Sequence, residues 1–187
     1  SLRIESGKLN VVLRSFTIKT GQTVSYVIED LGAYKPLIDG ITIDNPTQTG
    51  SSIFLKGYEP EVRNCTFKMG TNSQGSVILL AGGMNAKIHD NQVIGYAAGT
   101  AVYPAYFILV DANVAYNGLE VYGNTANMLG TFVDAGKTKA NATLTNSVIR
   151  NNTAVIYGST ASVAYRYGVY IAGSNNEIRG NTFTVGQ

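Results

Sequence analysis

The sequence predicts an all-β chain, a right-handed parallel β-helix of about seven coils with three short strands in each. Three observations predict it. A six-residue pattern recurs with a period in the twenties, an apolar strand-like segment recurs once between successive copies, and helix start and stop signals are missing.

The pattern runs Leu13-Arg-Ser-Phe-Thr-Ile18, Ile38-Asp-Gly-Ile-Thr-Ile43, Val62-Arg-Asn-Cys-Thr-Phe67 and Ile88-His-Asp-Asn-Gln-Val93. It continues as Val121-Tyr-Gly-Asn-Thr-Ala126, Ile149-Arg-Asn-Asn-Thr-Ala154 and Ile178-Arg-Gly-Asn-Thr-Phe183. The first column is aliphatic and points inward. The third column, Ser15, Gly40, Asn64, Asp90, Gly123, Asn151 and Gly180, holds mostly residues that tolerate a left-handed backbone, so the chain bends there. The fourth column ends in Asn91, Asn124, Asn152 and Asn181, which stack into a side-chain amide ladder. The fifth is a β-branched outward row, mostly Thr, and the sixth is apolar again. Each bend therefore joins two strands.

The third strand of each coil is read from Tyr26-Val-Ile28, Ile53-Phe-Leu55, Ile78-Leu-Leu80, Ile108-Leu-Val110, Thr131-Phe-Val133 and Val169-Tyr-Ile171. Six intervals at a strand spacing of ~4.8 Å give a rod roughly 29 Å tall. Residues 1–12 are expected to form a partial coil or arm, and 13–187 the β-helix domain. The start at Ser1 and the stop inside the last coil read as a piece of a longer chain, or as ends covered by neighbouring subunits.

Composition bounds the function. Hydrophobic residues make up 44% of the 187, enough for a continuous core, and charged residues only 14%. The net charge of +2 is too small and scattered to indicate nucleic-acid binding. No apolar run reaches the roughly 18–20 residues of a membrane span. One cysteine, Cys65, and one histidine, His89, exclude an internal disulfide, a cysteine-based zinc site and a multi-histidine metal site. No metal or cofactor is expected. Cys65 falls in the inward fourth column and reads as a buried, inert thiol.

The outward rows carry the functional expectations. Val27, Phe54, Leu79, Leu109, Phe132 and Tyr170 form an apolar stripe, expected as a subunit interface around a threefold axis or as the floor beneath long loops. Matching Leu109-Val-Asp-Ala112 with Phe132-Val-Asp-Ala135 places Asp111 and Asp134 on adjacent coils. Two carboxylates so close split into an acid and a base, as glycoside hydrolysis requires; alternatively, each is a turn device. Arg14, Asp39, Arg63, His89, Tyr122, Arg150 and Arg179 read as a solvated row partnered by Glu61, Glu120 and Glu177, or as a track for an acidic glycan. Two tyrosine-rich insertions supply Tyr103 and Tyr106, then Tyr165, Arg166 and Tyr167, as candidate sugar-binding residues or as packing for the loops.

Repeats such as Ile88-His-Asp-Asn-Gln-Val93 and Ile178-Arg-Gly-Asn-Thr-Phe183 resemble the coils of pectate-lyase-type right-handed β-helices. The Thr-, Asn- and Tyr-rich, charge-poor version is more similar to those of bacteriophage tailspikes and tail fibres. That resemblance implies a homotrimer on a virion, or an extracellular protein, that binds bacterial surface polysaccharide with or without depolymerising it. No lyase-type Arg-x-x-Arg beside a calcium-binding acidic cluster is present, so the family's catalytic residues do not carry over. A structural trimeric shaft or cap without glycan activity, and a secreted polysaccharide lyase or glycoside hydrolase, are the competing readings.

Overall fold

A computed structural model of the chain describes residues 1–20, 24–45, 50–69, 75–95, 106–157 and 167–186. The chain is a parallel β-solenoid of about six turns with three strands per coil, and no helix occurs among the described residues. The first sheet comprises Leu2–Ile4, Tyr26–Asp30, Ser51–Leu55, Ser76–Leu80, Tyr106–Val110, Thr131–Ala135 and Tyr167–Ile171. The second comprises Val12–Arg14, Leu37–Asp39, Glu61–Arg63, Lys87–His89, Glu120–Tyr122, Val148–Arg150 and Glu177–Arg179. The third comprises Thr17–Lys19, Thr42–Asn45, Thr66–Met69, Gln92–Ile94, Thr125–Leu129, Thr153–Tyr157 and Thr182–Gly186. A short parallel pair, Ala115–Asn117 with Thr143–Thr145, lies between the first and second sheets in sequence. Leu2–Ile4 pairs with Tyr26–Asp30, so the segment before residue 13 supplies a strand to the first coil.

The six-residue repeat is the bend between the second and third sheets. Leu13, Ile38, Val62, Ile88, Val121, Ile149 and Ile178 stand in one file, each in register with the next. All seven third-column residues adopt the left-handed conformation, with φ from 53° at Asn64 to 65° at Gly40. That is the reason for Gly, Asn and Asp there: a Cβ opposes this backbone, and short polar side chains oppose it least.

The asparagines after the bend form the predicted ladder. Asn91 Nδ2 donates to Asn124 Oδ1 at 3.0 Å, Asn124 Nδ2 to Asn152 Oδ1 at 2.9 Å, and Asn152 Nδ2 to Asn181 Oδ1 at 2.9 Å. Each Oδ1 also accepts the backbone N–H of the residue one coil below, from Cys65 to Asn91 and so on upward. Each Nδ2 also donates to a backbone carbonyl of that lower coil, namely Val62, Ile88, Val121 and Ile149. Asn91, Asn124 and Asn152 are buried and have their amide groups engaged.

The first sheet departs from the expected register. Its strands turn a corner, where Val27 and Ile28, Val77 and Ile78, Phe107 and Ile108, and Phe132 and Val133 are consecutive residues that all enter the core. Phe132 therefore does not face outward with Phe54, Leu79 and Leu109. It is fully buried, with its ring 4.9 Å from that of Phe107 and 5.3 Å from that of Phe183. Its place in the outward row is taken by Asp134, which aligns with Leu109 below and Tyr170 above. Asp111, two residues beyond Leu109, is consequently not the rung neighbour of Asp134.

A second left-handed corner leads into the second sheet, at Asn10, Lys35, Glu59, Asn85, Gly118, Asn146 and Asn175. Just before it, Leu9, Tyr34, Tyr58 and Met84 form successive bridges, and all four stay exposed.

Replacing Asn124 by Ala leaves the buried Asn91 N–H without its acceptor and takes the side-chain donor from the Ile88 carbonyl. We expect a loss of about 3 kcal/mol in unfolding free energy by denaturant titration. Asn141→Ala, which removes an exposed amide contact to Asn113 and places Ala at a left-handed backbone position of φ 57°, is expected to cost about 1 kcal/mol.

Candidate functional site

The outward face of the second sheet bears a groove of about 530 Å³ parallel to the solenoid axis. Its floor is one in-register row, Leu37, Glu61, Lys87, Glu120 and Val148. One wall is the second left-handed corner, with Lys35, Glu59, Asn85, Gly118 and Asn146 lining it. Behind that wall stands the exposed ridge, in which the Tyr34 and Tyr58 rings stack at 5.0 Å and 16°. Parallel pairing sets the ring separation, because each ring rides on a strand one rung from the next.

The opposite rim is the next outward row, Arg14, Asp39, Arg63, His89, Tyr122, Arg150 and Arg179, in the order read from the repeat. It is more organised than a solvated face. Asp39 Oδ2 receives Arg14 at 3.1 Å and Arg63 at 3.2 Å, while Asn64 Nδ2 donates to its Oδ1 at 2.9 Å. The Asn64 amide and then the Arg63 guanidinium hold the Asp39 carboxyl below its ordinary range. Glu61 Oε1 lies 2.8 Å from Arg63 NH1 and 3.1 Å from His89 Nε2. The other imidazole nitrogen, Nδ1, is 2.8 Å from Asp90 Oδ2. The His89 ring stacks on Tyr122 at 4.6 Å and 7°, and the Arg150 guanidinium lies 4.3 Å from the Tyr122 centroid on a cation–π contact. Burial, and then the Glu120 carboxylate, push the Tyr122 phenol up.

Chemically, the floor is polar yet internally compensated. Lys35 pairs with Glu59 at 3.2 Å, Lys87 with Glu120 at 3.9 Å, and Glu61 with Arg63 and His89. Such a surface offers many hydrogen-bonding groups with little net field, which suits a hydroxyl-rich ligand. No group of three or more His, Cys, Asp or Glu placed to hold a metal occurs among the described residues.

The residues singled out from sequence land elsewhere. Asp134 is fully buried, and its carboxylate accepts the Lys137 N–H at 3.0 Å, the Thr138 N–H at 3.4 Å and the Thr138 hydroxyl. Asp111 accepts its neighbour Ala112 N–H at 2.9 Å and sits 3.6 Å from Lys139 Nζ. Both carboxylates serve turns, and they do not form the side-by-side pair expected. Phe54, Leu79, Leu109 and Tyr170 do share an outward row with Asp134. Leu79 and Leu109, however, are each only 7% exposed and cluster with Tyr106, Tyr26 and Phe54 outside the main core. Within one chain, little of that stripe's centre is left for a partner.

Tyr106 is buried, with its hydroxyl 3.1 Å from Thr138 Oγ1, and half-buried Tyr167 packs on Tyr170 with ring centroids 5.6 Å apart. Both lie on the first sheet and not beside the groove. Tyr103, Tyr165 and Arg166 lie outside the described residues. The groove wall and ridge were missed from sequence. The signal for them is the file Asn10, Asn85, Gly118, Asn146 and Asn175, interrupted by the atypical left-handed residues of Tyr34-Lys-Pro36 and Tyr58-Glu-Pro60, 24 residues apart.

Neither a family model, nor a curated protein, nor a solved structure matches the chain.

Cys65 is 1% exposed, and burial pushes its thiol up to about 11. At neutral pH a thiol reagent is expected to leave the folded chain unlabelled and to modify Cys65 fully once denaturant unfolds it, as read by mass spectrometry.

Proposed function

We propose that this solenoid binds polysaccharide along the groove of its second sheet, as a recognition segment of the tailspike or tail-fibre kind that its coils resemble. The observation that carries the reading is the groove's construction. A floor five rungs long, polar at Glu61, Lys87 and Glu120 and apolar at its ends Leu37 and Val148, runs along the axis between an asparagine-bearing wall and a rim of stacked planar side chains. A rigid, pre-formed surface repeating at ~4.8 Å favours an extended ligand with a repeat of its own, because little ordering entropy is lost on binding. Flat rings and guanidinium groups offer faces to sugar rings, while Glu, Lys and Asn offer directional partners to their hydroxyls.

In this reading the protein binds by shape and hydrogen bonding. Depolymerisation is not assigned to Asp111 and Asp134, whose carboxylates are engaged in turns. The binding test uses a panel of bacterial surface polysaccharides and titration calorimetry. Lys87 is exposed at the middle of the floor, so Lys87→Trp fills the groove without disturbing the core. It is expected to weaken binding about tenfold or more with an unchanged thermal midpoint. Equal affinity of parent and variant for a polysaccharide that both bind overturns the groove as the site.

The second reading, a structural shaft, is favoured by the exposed ridge Leu9, Tyr34, Tyr58 and Met84, with relative exposures of 70, 47, 39 and 38%. A contiguous apolar strip of that kind marks a contact surface. If the ridge serves assembly into a homotrimer, sedimentation will give a mass near three times 19.9 kDa for the parent and a monomer for the Tyr34→Ser, Tyr58→Ser double variant. A monomeric parent removes this reading.

A further inference from the structure

We infer that the Arg150 end of the groove is an anion subsite, which selects a carboxylate-bearing sugar within the bound glycan. The inference rests on the groove being a glycan site and adds the ligand's charge and its polarity along the axis.

Four observations carry it. First, the rim row alternates sensibly in charge until its last rungs. Arg14, Asp39 and Arg63 alternate in sign, His89 sits between Glu61 and Asp90, and Tyr122 is neutral. Arg150 and Arg179 are then direct register partners, two permanent cations one rung apart. Second, only one carboxylate attends them. Glu177 Oε1 lies 2.5 Å from Arg179 Nε, and among the described residues Arg150 has no ion pair. Third, Arg150 is not a loose surface side chain. It is half-buried, and its guanidinium rests on the Tyr122 ring, 4.3 Å from the centroid. A planar fork held on a ring, with no side-chain hydrogen bond or ion pair of its own among the described residues, suits bidentate carboxylate recognition. Fourth, Arg150 shares a strand and a face with Val148, the last floor residue of the groove, so a chain lying in the groove reaches it.

The rest of the groove supports the same assignment by contrast. Its cations, Lys35 and Lys87, each face a glutamate within 4 Å. A carboxylate placed there meets Glu59, Glu61 and Glu120, whereas at the Arg150–Arg179 rungs it relieves a like-charge contact. Acidic sugars are therefore directed to one end.

The test uses the full chain with polygalacturonate, alginate and hyaluronate, each as the native acid and as its carboxyl-reduced counterpart, titrated at low and at high salt. At least one native acid polymer is expected to bind, with its carboxyl-reduced form about tenfold weaker. Arg150→Gln is expected to lower affinity for the native form to that of the reduced form while leaving the reduced form unaffected. Arg150→Lys, which keeps the charge but loses the planar fork, is expected to restore part of the loss. Thermal midpoints matching the parent show that the variants are folded. If Arg150→Gln leaves acid-polymer affinity unchanged, or if only neutral polymers bind, the subsite is overturned while groove binding survives. If neither the acidic nor the neutral polymers bind, the groove reading falls, and the subsite with it.

Discussion

The vertical hydrogen bond between one coil and the next is the constraint on which the other features rest, and the asparagine file is where it is most heavily enforced. A solenoid needs the same bend on every turn at the same height. A parallel sheet alone permits slippage by two residues, since that keeps the same side chains inward. The amide of Asn124 forbids it. Its oxygen takes a backbone N–H and a side-chain N–H from Asn91, and its nitrogen reaches Asn152 and the Ile88 carbonyl, so a shifted bend leaves several buried polar groups unpaired. The ladder thus fixes the register of the second sheet, and that register turns residues a few dozen positions apart into a floor and a rim.

The ladder begins only at Asn91. Below it the same column is Phe16, Ile41 and Cys65, and packing takes over from hydrogen bonding. Buried Cys65 marks the change: its own N–H feeds the first amide, while its thiol lies 3.1 Å from the Arg63 carbonyl. The first coils are held instead by devices in the first sheet. The fully buried Asp30 accepts N–H groups from Gly32, Ala33 and Gly57 and ties one turn to the next.

How much of this was legible in the sequence follows from which chemistry repeats. The bend between the second and third sheets demands a left-handed residue followed by an inward one on every coil, so seven copies align without ambiguity. The first sheet demands only apolar residues at a corner, and apolar-x-apolar triplets fit that sheet in two registers. Thr131-Phe-Val133 reads as well as Val133-Asp-Ala135, and only the second pairing is right, because a turn needs the Asp134 carboxylate. Buried Asp30 hid the same shift at Tyr26–Asp30. The groove wall was illegible for a related reason. Lys35 and Glu59 hold left-handed backbone at φ 51° and 52°, a conformation their residue types do not advertise. Placing the outward row of the second sheet needed only the repeat, and all seven of its residues fall where the pattern puts them.

The division of labour between the sheets follows from that difference. On the first sheet, outward side chains are already spent within the chain: Leu79 and Leu109 cluster with Tyr106, Asp134 closes a turn, and Arg3 meets Glu29 at 3.0 Å. On the second sheet, the strands are three residues long and each offers two outward positions between left-handed corners. Two short outward rows between corners make a trough, and a trough exposes side chains while holding their stems one rung apart. Rungs at that spacing favour opposite charges and stacked planes as neighbours, and the rim uses both, from Arg14 through His89 to the Tyr122 face under Arg150. Among the described residues Arg150, one rung before the paired Arg179, is the arginine of this row left without a carboxylate, and in the proposed reading an acid group supplied from outside takes that place.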